Sequence, residues 1–141
     1  MMPFSISSIT LAGIDRVLAF RPLLEPGTLR AQVHYEIRHK SQGGVVTWHS
    51  TEDHDLDAFV RVCHEEHVVV SFDWSKWMSG PGRAFAKPSD LDRATVRDCL
   101  RMLTALIRKE RICQGTLHDH VSTGFLGALL DRLASHRHAF L

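Results

Sequence analysis

Four apolar residues late in the chain, Val96, Leu100, Leu103 and Ile107, follow one another at steps of four, three and four. On a helix of 3.6 residues per turn those steps put all four on one face, whereas a strand would scatter them over both of its sides. The spacing predicts a helix of several turns with a buried stripe. Ser89-Asp90-Leu91-Asp92 before it has the form of a capping box, with Asp in place of the usual Glu at the third position. Gly115 supplies a stop.

Similar logic reads the flanks. Thr116 is placed to cap a short helix reaching Val121, and Gly124 separates it from a last helix with Leu126, Leu129, Leu130 and Leu133 inward. Near the start, Ile9, Ile14, Val17 and Leu18 predict a helix over 5–20, closed by Pro22 and the Glu25-Pro26-Gly27 turn. From Leu29 the period changes to two, since Leu29, Ala31, Val33, Tyr35 and Ile37 alternate with polar residues. Ser41-Gln42-Gly43-Gly44 can turn this strand back into Val45–His49, which makes a β-hairpin. Ser50 or Thr51 is placed to cap a further helix that turns Leu56, Phe59, Val60 and Cys63 inward. Val68–Phe72 reads as extended, and Asp73–Pro88 as irregular and the likeliest mobile stretch. The expected fold class is α+β, mainly α, with one N-terminal β-hairpin packed on about four to five helices. Residues 1–141 read as one domain, with the helix and hairpin in 1–50 and the helical part in 51–141.

A chain of 141 residues, 44% of them hydrophobic, is large enough to bury a core of its own. No apolar run approaches the roughly 18 residues of a membrane span, and Met1-Met2-Pro3-Phe4 lacks the basic and apolar regions of a secretory signal. Cys63, Cys99 and Cys113 are odd in number and show no CxxC spacing, which fits reduced, structural thiols. A cytoplasmic location is expected. The net charge of +1 argues against a general nucleic-acid coat. Its distribution is uneven: residues 52–66 carry six acids against Arg61 alone, and residues 93–111 carry six cations against Asp98 and Glu110.

From Phe59-Val60 through Val68–Trp74 and Trp77, then Leu103–Leu117 and Ser122-Thr123-Gly124-Phe125-Leu126 to Leu133, the chain resembles the bacterial DUF6508 family. The resemblance spans about residues 56–134. Ile112 stands where that family suggests Phe, and Ser79–Pro88 departs from the pattern. It implies a shared fold unit and no activity.

The residues that could carry function are few. Arg93, Arg97, Arg101, Thr104, Arg108 and Arg111 line one helix face beside the apolar stripe. Five guanidiniums in a row repel one another, so an anion is expected opposite: phosphate, an acidic protein surface, or the acids of 52–66 folded back internally. Trp74 and Trp77, with Phe72 and Phe85, are either an interface anchor or core. Two His/Cys clusters, Cys63-His64-His67 and Cys113-His118-His120, lack the paired spacing of a structural zinc site, and His64-Glu65-Glu66-His67 is one residue short of a zincin motif. No metal and no cofactor are expected. His136 and His138 are expected on a frayed terminus. Neither a nucleophile elbow nor a phosphate loop occurs, and pairs such as Cys63–His64, Cys113–His118 or Glu110–His118 are too close in sequence to face each other readily.

These features point to a non-enzymatic accessory or inhibitor protein. It would bind a protein partner through Arg97, Arg101, Arg108, Arg111, Trp74 and Trp77. One form would be a phage or mobile-element product directed at a nucleic-acid-targeting complex. Direct nucleic-acid binding by the arginine row is the alternative, and an enzyme of unfamiliar type is the third. Opposed charge patches would also suit a homodimer.

Overall fold

A computed structural model of the chain describes residues 4–27 and 54–141. Among the described residues every regular element is helical. In order these are α1 (Leu11–Leu18), α2 (His54–Glu65), α3 (Trp74–Ser79), α4 (Val96–Glu110), α5 (Thr116–Ser122) and α6 (Phe125–Ser135). Short 3-10 turns occupy Arg21–Leu23, Pro81–Ala84, Pro88–Arg93 and Arg137–Phe140. The α+β expectation is therefore corrected: the described fold is all-helical and contains no strand. The hairpin predicted within 29–49 and the cap at Ser50 or Thr51 lie outside the described residues.

The helix at the centre is α4. From Cys99 to Ile107 every residue is buried except Arg101, which is half-buried. A helix buried all round needs neighbours on every side, and here α3, α5 and α6 all pack on it. The apolar stripe read from sequence was thus too narrow. Met102, Ala105 and Leu106 are as deeply buried as Leu100 and Leu103, while Val96 is half-buried. Its start also differs from expectation. Thr95 and Asp98 form the capping box, with Asp98 N–H donating to Thr95 Oγ1 (3.1 Å) and Thr95 N–H to Asp98 Oδ2 (3.0 Å). The earlier Ser-x-x-Asp pattern lies in the Pro88–Arg93 turn, where Asp90 Oδ2 accepts from Ala86 and Lys87 N–H. Pro88, with its fixed φ, opens that separate turn.

Among the described residues Val68–Phe72 pairs with no strand. Two of its backbone groups are met instead by one side chain of α4. Thr104 Oγ1 accepts from Val70 N–H (2.9 Å) and donates to Val68 C=O (3.3 Å). Ahead of this segment, α2 ends in a Schellman turn, with Val68 N–H on Cys63 C=O and His67 N–H on His64 C=O. His67 takes the left-handed position (φ 64°) that glycine usually fills. The inner face of α2 is Phe59, Val62 and Cys63, so Val62 joins the expected set while Leu56 and Val60 are half-buried.

The stretch read as irregular, Asp73–Pro88, is mostly helical. Asp73 caps α3 by accepting Lys76 N–H (3.1 Å), and Trp77 anchors α3 in the core. Gly82 has no side chain to spare: a Cβ there would come within 2.8 Å of the Trp77 ring. At the other end α4 stops at Glu110, before the Gly115 expected to end it; Gly115 (φ 95°) instead stands at the start of α5. The inward leucines of α6 are buried as expected.

The first helix is shorter than 5–20, because Thr10 Oγ1 caps Gly13 N–H (2.9 Å) and starts α1 at Leu11. Pro22 does not end the segment but sits inside the next 3-10 turn. Nor is the C-terminus frayed. Phe140 is buried, Arg137 pairs with both Asp15 oxygens (2.7 and 2.8 Å), and His136 Nε2 lies 3.0 Å from Ala94 O. One hydrophobic core runs from Ile9 to Phe140 through all these helices.

Thr104 tests this arrangement. Thr104→Val keeps the shape but strands a buried N–H and C=O, and is expected to cost about 2 kcal/mol in urea unfolding. Thr104→Ser, which keeps the hydroxyl and loses one methyl, should cost about 1 kcal/mol. Equal losses would show that the hydroxyl bridge contributes nothing.

Candidate functional site

The arginine row starts in the Pro88–Arg93 turn and continues along α4, but it is not one uniform face. Arg93 is exposed, donates to Ala84 C=O (3.2 Å) and lies 3.6 Å from Asp90. Thr104 is inside the core, as described, so the row is interrupted at its middle. Arg97 and Arg101 are half-buried and converge on one residue the sequence did not flag, Phe4. Arg97 Nη1 donates to Phe4 C=O at 2.6 Å. The Arg97 and Arg101 guanidinium carbons lie 5.2 and 5.4 Å from the centre of the Phe4 ring, within cation–π range. Asp98 stands 3.8 Å from Arg101, and Arg101 Nε is buried without a hydrogen-bond partner among the described residues.

Beyond Thr104 the row resumes at the corner between α4 and α5. Arg108 and Lys109 occupy the last turn of α4, where the negative end of the helix dipole favours cations. Arg111, Ile112, Cys113 and Gln114 are exposed, and Ile112 is 72% exposed. An isoleucine this open among cations is the least expected feature of the surface. The corner is held from inside by Glu110, whose carboxylate accepts Gly115 N–H (3.1 Å) and Leu117 N–H (2.9 Å). Glu110 is therefore a turn clamp.

The acids of 65 and 66 do not answer the row. Glu65 and Glu66 both pair with Arg16 of α1, at 2.9 and 2.7 Å. Arg21 bridges to Asp131 of α6 (2.9 Å) and to Glu25. These cross-chain pairs use arginines outside the row. Among the described residues, Arg97, Arg108 and Arg111 have no carboxylate within ion-pair distance.

Of the aromatic residues, Trp77 is 4% exposed, edge-on to Phe72 and stacked on Phe85. Its ring faces the core rather than solvent. Trp74 is half-buried at the start of α3. Trp74 and Trp77 therefore do not extend the basic corner as a pair.

The His and Cys residues are dispersed in role. Cys63 and Cys99 are buried thiols; burial raises both, Cys99 to about 12, so neither is a thiolate near neutral pH. His120 Nδ1 is 2.7 Å from Thr116 O and its ring is edge-on to Phe125. His67 serves the turn after α2. Among the described residues no group of three His, Cys, Asp or Glu side chains is placed to hold a metal. His64, at the end of α2, lies near the basic corner: partial burial, then Arg108, then Arg111 hold its pKa below the ordinary value.

That coupling can be measured. Arg108→Gln with Arg111→Gln should raise the His64 pKa in an NMR titration, leaving only the burial effect. For stability, a histidine depressed in the folded state favours unfolding as pH falls from about 6.5 toward the folded pKa. The double variant should therefore lose less stability across that window than the parent. An unmoved His64 pKa would mean the corner cations do not act on it.

No curated protein and no solved structure matches the chain. A family model does match it, and over a longer span than the resemblance read from residues 56–134: residues 9–139, from the approach to α1 through the C-terminal turn. By that match, which takes in nearly all of its length, this chain belongs to DUF6508, a family of unknown function.

Proposed function

We propose that this chain is a non-enzymatic protein-binding accessory or inhibitor protein that meets its partner at the α4–α5 corner. The observation that carries the reading is Ile112, 72% exposed and flanked by Arg108, Lys109 and Arg111. An open aliphatic side chain with cations close by in sequence matches the composition of a protein interface, where an apolar centre is enclosed by a polar rim. The partner surface would offer an apolar recess edged by carboxylates. An inhibitor of a nucleic-acid-targeting complex is one form such a protein can take.

The buried thiols and the structural use of Glu110, His67 and His120 support a binding role over a catalytic one. Direct nucleic-acid binding draws on the same cations, but its support is weaker. A phosphate track needs regularly spaced free cations, and here Thr104 is buried while Arg97 and Arg101 are engaged with Phe4.

The test is capture from host lysate on the immobilised protein, with and without nuclease, by the parent and by Ile112→Asp and Arg111→Glu. Retention of a protein after nuclease is expected, with affinity reduced about thirtyfold by Ile112→Asp, the effect of losing a hot-spot residue worth about 2 kcal/mol. Circular dichroism should show both variants folded. Undiminished capture by both would place the interface elsewhere, and capture abolished by nuclease would favour the nucleic-acid reading.

A further inference from the structure

We infer that Arg97 and Arg101 form a recognition site for a chain terminus, an aromatic residue with a free carboxylate, and that the chain's own Phe4 fills this site in its place.

Two half-buried guanidiniums lie over one phenyl ring, at 5.2 and 5.4 Å from its centre. One of them also donates to the backbone oxygen of that same residue, at 2.6 Å. Ring and main-chain oxygen are therefore read together, on one residue. What Phe4 supplies is electrically incomplete. Its carbonyl is neutral, Asp98 stands 3.8 Å from Arg101, and Arg101 Nε is buried with no partner among the described residues. A buried donor without an acceptor is costly, and a carboxylate acceptor makes a shorter and stronger bond than a carbonyl.

A C-terminal phenylalanine supplies the charge that Phe4 lacks. Its ring and the first oxygen match those of Phe4, because both sit on the same backbone framework. The same carbon then carries a second oxygen and a full negative charge beside the two arginines. A phosphate or acetate ion brings charge without the ring, and an internal phenylalanine brings the ring without charge. Neither satisfies the pair.

Phe4 is also placed to leave. Ser5, Ser7 and Ser8 beyond it are exposed, and the next fully buried anchor is Ile9. Lifting Phe4 off α4 breaks its Arg97 bond, the two ring contacts, its tilted contact with Phe72 (6.4 Å) and its packing at the edge of the core, where the half-buried Ile6 also sits, and leaves Ile9 in the core. The resident segment thus acts as an internal competitor. Ligand affinity is reduced by the fraction of time the site is open. This site is separate from the Ile112 corner and does not rest on the function proposed there.

The experiment titrates N-acetyl-L-phenylalanine into the full chain and into Phe4→Ala, by calorimetry and by following the arginine Nε–H resonances. N-acetyl-L-phenylalaninamide and acetate serve as neutral and ring-free controls. The acid should bind Phe4→Ala about tenfold more tightly than the parent, as removal of the competitor requires. It should shift the Arg97 and Arg101 resonances. The amide and acetate should each bind at least about tenfold more weakly than the acid, as loss of the charged bond or of the ring contact implies. Arg97→Gln in the Phe4→Ala background should abolish the effect. Equal binding of acid and amide, equal binding by parent and Phe4→Ala, or unshifted arginine resonances would each overturn the inference. If Phe4→Ala loses helical signal, Phe4→Leu carries the same test, since it keeps an apolar cover on α4 while removing the ring. Failure of this test leaves the response to Ile112→Asp unchanged.

Discussion

Burial of α4 on all sides is the constraint from which the rest of the arrangement follows. Met102 to Ile107 are consecutive and so point all round the helix, yet every one of them is buried. Each large apolar side chain among them stabilises the fold by about 1.5–3 kcal/mol when removed from water, so covering one face alone would forgo much of the available energy. Coverage comes from elements on both sides of α4 in sequence: Val68–Val70 and α3 before it, α5 and α6 after it. A helix enclosed in this way cannot keep a polar residue at mid-length unless that residue finds partners inside. Thr104 finds them in the Val68 carbonyl and the Val70 amide, and that bridge takes the place of a β-ladder for the extended segment.

Enclosure also divides the charges by role. Arg16, Arg21 and Arg137 join elements distant in sequence through carboxylates on Glu65, Glu66, Asp131 and Asp15. These exposed pairs orient α1 and the C-terminal turn more than they stabilise them, since water screens such charges. Arg97 and Arg101 are drawn into the shoulder of the core, where an aromatic ring and a carbonyl receive them. Among the described residues, the corner at Arg108–Gln114 keeps cations and a widely exposed isoleucine together at the surface. Part of that charge has a structural cause, because Arg108 and Lys109 meet the negative end of α4. Arg111, the C-cap residue, shares that cause, whereas Ile112 lies past the helix end and has no such reason.

Much of the local structure was legible because its causes are local. The 3.6-residue spacing in α4 and α6, and the glycines at 115 and 124 with positive φ, act within a few residues of themselves. Even the misplaced start of α4 was a local ambiguity. Ser89-x-x-Asp92 and Thr95-x-x-Asp98 have the same form, and Pro88 assigns the first region to a separate turn. The alternation that suggested a hairpin falls outside the described residues, and the extended valines that resembled a strand lie against a helix instead.

The sequence by itself determined that a long amphipathic helix exists, where its chain reversals fall, and that its arginines exceed what the apolar stripe requires. Only the tertiary structure decided which of those arginines are available. Exposure depends on what packs against a face, and the packing partners come from residues 93 positions away in the case of Arg97 and Phe4, or 34 away in the case of Thr104 and Val70. Periodicity along one helix carries no record of such neighbours. It showed a row of six residues; folding buried one, engaged two with the N-terminal segment and left the basic corner with Ile112 in the open.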